Sequence, residues 1–396
     1  MSGGERDYFA TLDAALKTAG IAQPVMVIDR DRLDANLDAL AAVAPPDKAL
    51  RIVAKSLPSP ALLRHVTERL KTDRLMTFSV AMLKQLHGAL PGMGHLLGKP
   101  VPVAAVAALM EGEPGLRKLA TEVVWLVDTV GRIRQYDELA RAQGVVLNVA
   151  AEIDVGLRRG GFDPQRNLAE GMAALAAADG LRFAGMMGYE PHLPALPSAF
   201  GIRARAERDF RSGYGRALEI ARSVFGEETV AGAIRNSGGS KTVAARAGDD
   251  FINDLSVGSL LLKPLDFDRV ERPAMRPAAF IATPVLKKGP FRIPGFGDTR
   301  FMQVLLEGGA REAVFIHGGH WLAKPVHPPG LGYSRLVGRS SNQEILVSRG
   351  PVAADIDDFV FMRPQQSEAV LLQFGPLAVF SGSEVVGTWE TFPPTA

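Results

Sequence analysis

The stretch Leu50-Arg51-Ile52-Val53-Ala54-Lys55-Ser56-Leu57-Pro58 is a short apolar run that ends in a lysine and is closed by a proline. It has the length and the branched residues of a buried strand, and Pro58 stands where a following helix could start. In a barrel of parallel strands, the C-terminal strand ends surround the active site, so Lys55 would point into it. A lysine held there can form an imine with an aldehyde once desolvation or a neighbouring cation lowers its pKa. The alternative is a surface lysine that merely ends a strand.

Working outward, apolar β-rich runs recur at 50–54, 75–80, 95–97, 123–127, 145–153, 182–187, 230–234 and 254–257. Helix-like stretches lie between most of them, as at 61–71, 132–143, 168–177 and 204–224. Eight strands with intervening helices are the beat of a (β/α)8 TIM-type barrel. The third strand is the weakest, and the run 101–106 competes with it. Before the barrel, a short amphipathic helix precedes a strand at 24–30. After Leu265 the pattern changes to short β-branched and aromatic runs punctuated by Gly and Pro: 279–285, 301–306, 313–316, 344–348, 358–362, 369–373 and 377–380. The chain is therefore expected to hold a barrel over 1–270 and a mostly β C-terminal domain over 271–396, which the strand at 24–30 could join. The boundary falls near Arg272-Pro273-Ala274-Met275-Arg276-Pro277.

Composition narrows the setting. The 396 residues carry a net charge of +2, so no bulk field favours nucleic acid. There is no cysteine, which excludes disulfides and thiolate metal sites and fits a reducing compartment. The first ten residues are charged and lack a signal-peptide core, and no run is long enough to span a membrane. The cytoplasm is the expected location.

The strand ends supply the chemistry. After Lys55 come Glu152-Ile153-Asp154-Val155-Gly156-Leu157-Arg158-Arg159-Gly160-Gly161, then Gly188-Tyr189-Glu190-Pro191-His192, Arg235-Asn236-Ser237-Gly238-Gly239-Ser240 and Leu255-Ser256-Val257-Gly258-Ser259. Ser237-Gly238-Gly239-Ser240 and Val257-Gly258-Ser259 are small, donor-rich turns after strands seven and eight, where barrels bind phosphate. Either could also be a plain turn.

These motifs, in this order, together with Pro24-Val25-Met26-Val27-Ile28-Asp29 and Gly185-Met186-Met187-Gly188-Tyr189, resemble the alanine-racemase-like (fold type III) pyridoxal 5′-phosphate (PLP) enzymes. The D-threonine aldolase and D-serine dehydratase branch is the most similar. The resemblance spans nearly the whole chain. It implies that Lys55 holds PLP as a Schiff base and later moves the α-proton. It implies that Arg159 reaches the phenolic oxygen and that the Tyr189 ring packs on the pyridine. Ser237, Gly238, Gly239, Gly258 and Ser259 would bind the phosphate, with Asn236 and Ser240 within cofactor range and Arg235 nearby without an assigned role. Arg159 could instead make a surface ion pair, and Tyr189 could be a core ring. A homodimer is also implied.

One departure stands out. The branch usually binds a divalent metal through a histidine and a cysteine or aspartate that follow a proline. Here the matching stretch is Arg363-Pro364-Gln365-Gln366-Ser367-Glu368, with Gln366 and Glu368 at the ligand positions. Glutamine is a poor substitute for imidazole, so the usual metal site is expected to be lost or weakened, although a carboxylate could still serve Mg²⁺ or Mn²⁺. His317, His320 and His327 cluster in the β-rich part. His317 and His320 are candidate acid–base groups, ligands or structural residues, and His192 is the preferred extra acid–base group. Loss of a metal hurts dehydration more than retro-aldol cleavage, because a histidine can take a hydroxyl proton. The expected activity is therefore a lyase on β-hydroxy-D-amino acids, cleaving them to glycine and an aldehyde. The alternatives are a racemase, with Tyr333 as the second base, a D-serine dehydratase-type ammonia-lyase, and a non-catalytic PLP-binding protein.

Overall fold

The computed structural model describes residues 3–268, 275–293, 295 and 300–393. The expected boundary stretch lies outside these residues as far as 274. The chain divides into two compact units. One is centred on Leu37–Leu260, and the other combines Met1–Asn36 with Leu261–Arg269 and Ala274–Thr391.

The first strand, β1 (Val25–Asp29), belongs to the second unit. The other unit is a closed barrel of eight parallel strands: β2 (Ala49–Val53), β3 (Arg74–Thr77), β4 (Gly94–Leu97), β5 (Val124–Val127), β6 (Leu147–Ile153), β7 (Leu181–Gly188), β8 (Ile234–Ser237) and β9 (Asp254–Val257). The weak third strand forms where expected, and its competitor contributes instead to the helix Val103–Met110. The run 75–80 stops at Thr77 because Ser79 caps the next helix, its Oγ accepting the Met82 N–H at 3.1 Å. The run 230–234 is displaced. Glu227–Gly232 is a short helix with two acidic residues in its first turn, and the strand begins at Ile234. Asn236 and Ser237 are poor strand formers by propensity. Tertiary hydrogen bonds hold them there instead.

Those bonds form a polar layer inside the barrel. Arg51 on β2 donates Nε and Nη2 to the two carboxylate oxygens of Asp254 on β9, each at 2.8 Å. Its Nη1 donates to Leu75 O at 3.0 Å. Arg74 on β3 reaches Asp254 Oδ2 at 3.1 Å. Asn236 on β8 donates Nδ2 to Asp254 Oδ1 at 2.5 Å and to Ser256 Oγ at 2.9 Å. The strands β2 and β9 pair with each other, so this layer straddles the line where the barrel closes.

The other unit is a nine-stranded sheet. It adds β10 (Ala279–Pro290), β11 (Glu312–His317), β12 (Ala323–His327), β13 (Gly332–Tyr333), β14 (Gln343–Ser348), β15 (Phe359–Pro364), β16 (Leu377–Ser381) and β17 (Glu384–Trp389). β1 lies between β10, antiparallel, and β16, parallel. Phe9, Leu12 and Leu16 of the helix Gly3–Thr18 pack with Val27, Phe280, Phe361 and Phe380 to form its core. Two expected strands are absent. The run 301–306 lies in the helix Arg300–Glu307, and 369–373 gives only the turn Leu371–Gln373. Phe301, Val304 and Leu305 recur at helical rather than alternating spacing. Among the described residues, no helix is long and apolar enough to cross a membrane.

Burial would raise the Asp254 carboxyl, but the Arg51 guanidinium and the donors of Arg51, Asn236 and Arg74 outweigh it and hold the carboxyl below the usual 3.8. A carboxyl lowered on folding contributes stability above its unfolded pKa and loses it as pH falls through the folded one. Asp254→Asn leaves Arg51 buried without its counter-charge and is expected to cost about 3–5 kcal/mol near neutral pH. In urea unfolding across a pH series, the gap from wild type should narrow below pH 3.8.

Candidate active site

Lys55 lies in the single turn Ala54–Ser56 directly after β2. Ala54 and Ser56 are buried, whereas Lys55 is exposed, with Nζ 4.6 Å from the centroid of the Phe78 ring. At that distance the cation and the ring face attract. Ser259 donates its hydroxyl to Ser56 Oγ at 3.0 Å, which joins the turn after β9 to the lysine turn. Gly258 is required by the same contact, since a Cβ there would lie 2.8 Å from both Ser56 Oγ and Val53 Cβ. Ser240, after β8, accepts the N–H groups of Gly258 at 3.2 Å and Leu260 at 3.1 Å. Gly239 lies against the Tyr189 ring, with a Cβ position 2.7 Å from Cε2. The Arg159 guanidinium stands 5.3 Å from the centroid of that ring.

One continuous set of contacts thus runs from Arg159 through Tyr189, Gly239, Ser240 and Gly258 to Ser259, Ser56 and the Lys55 turn, all beyond the C-terminal ends of β2, β6, β7, β8 and β9. The loop that carries Arg159 is held by Asp154, whose Oδ1 accepts from Gly156 N–H at 2.9 Å and from Arg158 N–H at 3.1 Å. Glu152 lies near Arg159. Burial pushes its carboxyl up, and the Arg159 charge opposes the rise.

Other expected residues sit differently. The Asn236 side chain is committed to Asp254 and Ser256 in the barrel interior. Arg235 donates to the carbonyls of Phe251, Val230 and Ala231. The Ser237 hydroxyl is fully buried, 2.8 Å from Gly188 O and 2.9 Å from Glu190 Oε2. The turn therefore offers a ligand its backbone rather than that hydroxyl. Among the described residues, the N–H groups of Gly239 and Ser240 have no acceptor. Gly238 adopts φ 86°, a left-handed conformation that suits glycine. The helix after the turn, Val243–Arg246, is a single turn long, so little dipole stands behind those N–H groups.

His192 follows Tyr189 by three residues, with Nε2 3.2 Å from the Cβ position of Gly156. Burial lowers its pKa, while Asp154 and Glu207 oppose the shift. His317 and His320 belong to the second unit. His317 ends β11 and is partly buried. His320 is exposed and donates its backbone N–H to Glu344 at 2.8 Å. His327 stacks on Phe9 at 4.8 Å and has a structural place. The Tyr333 hydroxyl donates to Ala323 O at 2.5 Å, and burial raises its pKa to about 12 against the opposing charge of Arg339. Gln366 donates Nε2 to Asp266 at 3.0 Å, and Glu368 is exposed. Among the described residues, no group of three or more His, Asp or Glu side chains converges to hold a metal.

Residues 28–261 match the family described as Alanine racemase, N-terminal domain. The chain belongs to this family. A comparison with curated protein sequences gives no match. Among solved structures, D-threonine aldolase from Filomicrobium marinum is 21% identical, with a TM-score of 0.74 over 93% of this chain and 94% of that one. D-threo-3-hydroxyaspartate dehydratase from Delftia sp. HT23 is 17% identical, with a TM-score of 0.73 over 93% and 97%. An alanine racemase from Clostridium difficile 630 is 15% identical, with a TM-score of 0.71 over 93% and 98%. The resemblance to fold type III PLP enzymes is borne out, and at these identities the likeness to individual structures is one of fold.

The residues fit the alanine racemase family's cofactor class. An amine, a flat ring, a fixed cation and two unclaimed N–H groups lie on one set of contacts, which suits an aldehyde, an aromatic ring, a phenolate and a phosphate. Three contributors carried no sequence signal of their own: Ser56, Phe78 and Glu190. Each stands inside a stretch named above, but only the fold assigns its side chain to the site. Gly258→Ala forces Ser56 or β2 to shift and is expected to cost about 1–3 kcal/mol, measured by chemical unfolding.

Proposed function

We propose that the protein is a PLP-dependent lyase that cleaves β-hydroxy-D-amino acids to glycine and an aldehyde, and that it works as a homodimer. The observation that carries this reading is the contact set that places the Lys55 turn, Tyr189 with Arg159, and the open N–H groups of Gly239 and Ser240 at one end of one barrel. When bound, PLP withdraws electrons from the α-carbon of an attached amino acid, so that a bond there can break. In this reading, the Lys55 amine holds the cofactor's aldehyde carbon and afterwards moves a proton. Tyr189 supports the ring from one side. Arg159 fixes the phenolate oxygen as a permanent cation with planar donors. Gly239 and Ser240 N–H bind the phosphate.

Cleavage between the α- and β-carbons needs a base for the β-hydroxyl proton. His192 is suited to the task, because burial favours its neutral form. The state of Tyr333 supports a lyase over a racemase: its hydroxyl donates to Ala323 O, and its raised pKa keeps it protonated, with no phenolate to accept a proton. The Gln366–Asp266 hydrogen bond supports cleavage over metal-assisted dehydration, since it occupies the amide that replaces a metal-binding imidazole.

Absorbance of the protein purified with PLP is expected to show a visible band that Lys55→Ala removes. D-Threonine should then give glycine and acetaldehyde. Pyruvate from D-serine would favour the ammonia-lyase, racemisation seen by chiral chromatography would favour the racemase, and a band without any turnover would favour a PLP carrier. Because the pKa of His192 is lowered, the acid limb of kcat/KM should fall below pH 6.5 and should disappear in His192→Asn along with most of the activity.

A further inference from the structure

Directly beneath the Ser237–Ser240 turn lies a buried carboxylate that neither the motifs nor the proposed chemistry uses. Glu190 follows Tyr189 and is fully buried. Its Oε2 is 2.9 Å from the Ser237 hydroxyl and 3.4 Å from the Gly238 N–H, while Arg246 Nε stands 3.6 Å from Oε1. Arg246 is itself buried and is fixed from three other sides. It pairs with Asp249 at 2.8 Å and with Glu207 at 2.5 Å, and its guanidinium lies 4.2 Å from the Phe210 ring centroid. Its Cγ is 3.5 Å from the Cβ position of Gly238, so it also underlies the turn. Asp249 in turn pairs with Arg211.

We infer that Glu190 is a positioning residue that sets the backbone of the Ser237–Ser240 turn for a phosphate group; this rests on the cofactor reading above. The carboxyl accepts from the Gly238 N–H and meets the Ser237 hydroxyl, whose one proton it shares with Gly188 O. Arg246 holds the carboxylate in place, and the second half of the turn keeps its N–H groups of Gly239 and Ser240 turned away from the protein's own acceptors. The two carboxyl oxygens face obligate donors, the Gly238 N–H at one and the Arg246 guanidinium at the other. A glutamine of the same size always presents an NH₂ to one of them, either to Arg246 or to the Gly238 N–H.

The test compares PLP with pyridoxal, which has the same ring and aldehyde but no phosphate. Both are titrated by absorbance into the full-length protein after its cofactor has been removed with hydroxylamine. Glu190→Gln is expected to weaken PLP binding about tenfold and to leave pyridoxal binding within about twofold of wild type, the scale of one lost hydrogen bond to a charged group. Where that variant does not fold, Ser237→Ala removes the same tie from its other end and should give the same selective loss. Equal weakening of both ligands, or a variant that keeps the wild-type preference for PLP, overturns this inference alone. A wild-type protein with no preference for PLP over pyridoxal overturns the cofactor reading and this inference with it.

Discussion

The ion pair between Arg51 and Asp254 sets the register on which the candidate site depends. It joins β2 to β9 across the closure of the barrel, and Arg74 and Asn236 extend it to β3 and β8. Two charges so completely buried are tolerable only because almost every donor and acceptor in the layer is matched. The same strands end in the turns that carry Lys55, Ser237–Ser240 and Gly258–Ser259. A slip of one strand by one residue would break the bidentate pair and carry a site turn out of line. The charged layer at mid-barrel is thus what aligns the backbone groups at its rim.

At the rim, a second principle takes over. The turns are tied to one another by small side chains and by glycines that permit close approach. Ser240 reaches to the turn after β9, Ser259 reaches to Ser56, and Gly239 admits the Tyr189 ring. Few of these residues would bear a larger replacement. The site is built from absences of bulk as much as from functional groups, which explains why so many of its members are glycine and serine.

Much of this was legible in the chain. The alternation of apolar runs and helical stretches is a many-residue signal, and it located the barrel and the lysine turn. Short runs were less informative. The apolar residues at 301–306 suit either strand or helix, and 230–234 straddles the end of a short helix and the start of β8. β12, with Pro325 inside it, and β17, with its exposed residues, lack the pattern of a buried strand. At the site, motif residues were found from order and spacing, but the orientation of their side chains was not. Asn236 and Ser237 turn inward because partners far away in sequence, Asp254 and Glu190, claim them. Such claims are tertiary, and local sequence does not encode them.

The place of β1 has a consequence for how the chain is made. This strand leaves a ribosome long before its partners, since Val25 pairs with Ala282 and Val27 with Ala378. At about 5–20 residues per second, its first partner emerges some 10–50 s later. Throughout that interval Met26, Val27 and Ile28, all fully buried in the finished fold, have no sheet to join. The barrel can close during synthesis, while the sheet around β1 must wait for β10 and β16. A nascent polypeptide of this topology therefore carries an orphan apolar strand through about 250 residues of elongation, and shielding that strand falls to chaperones or to the helix Gly3–Thr18.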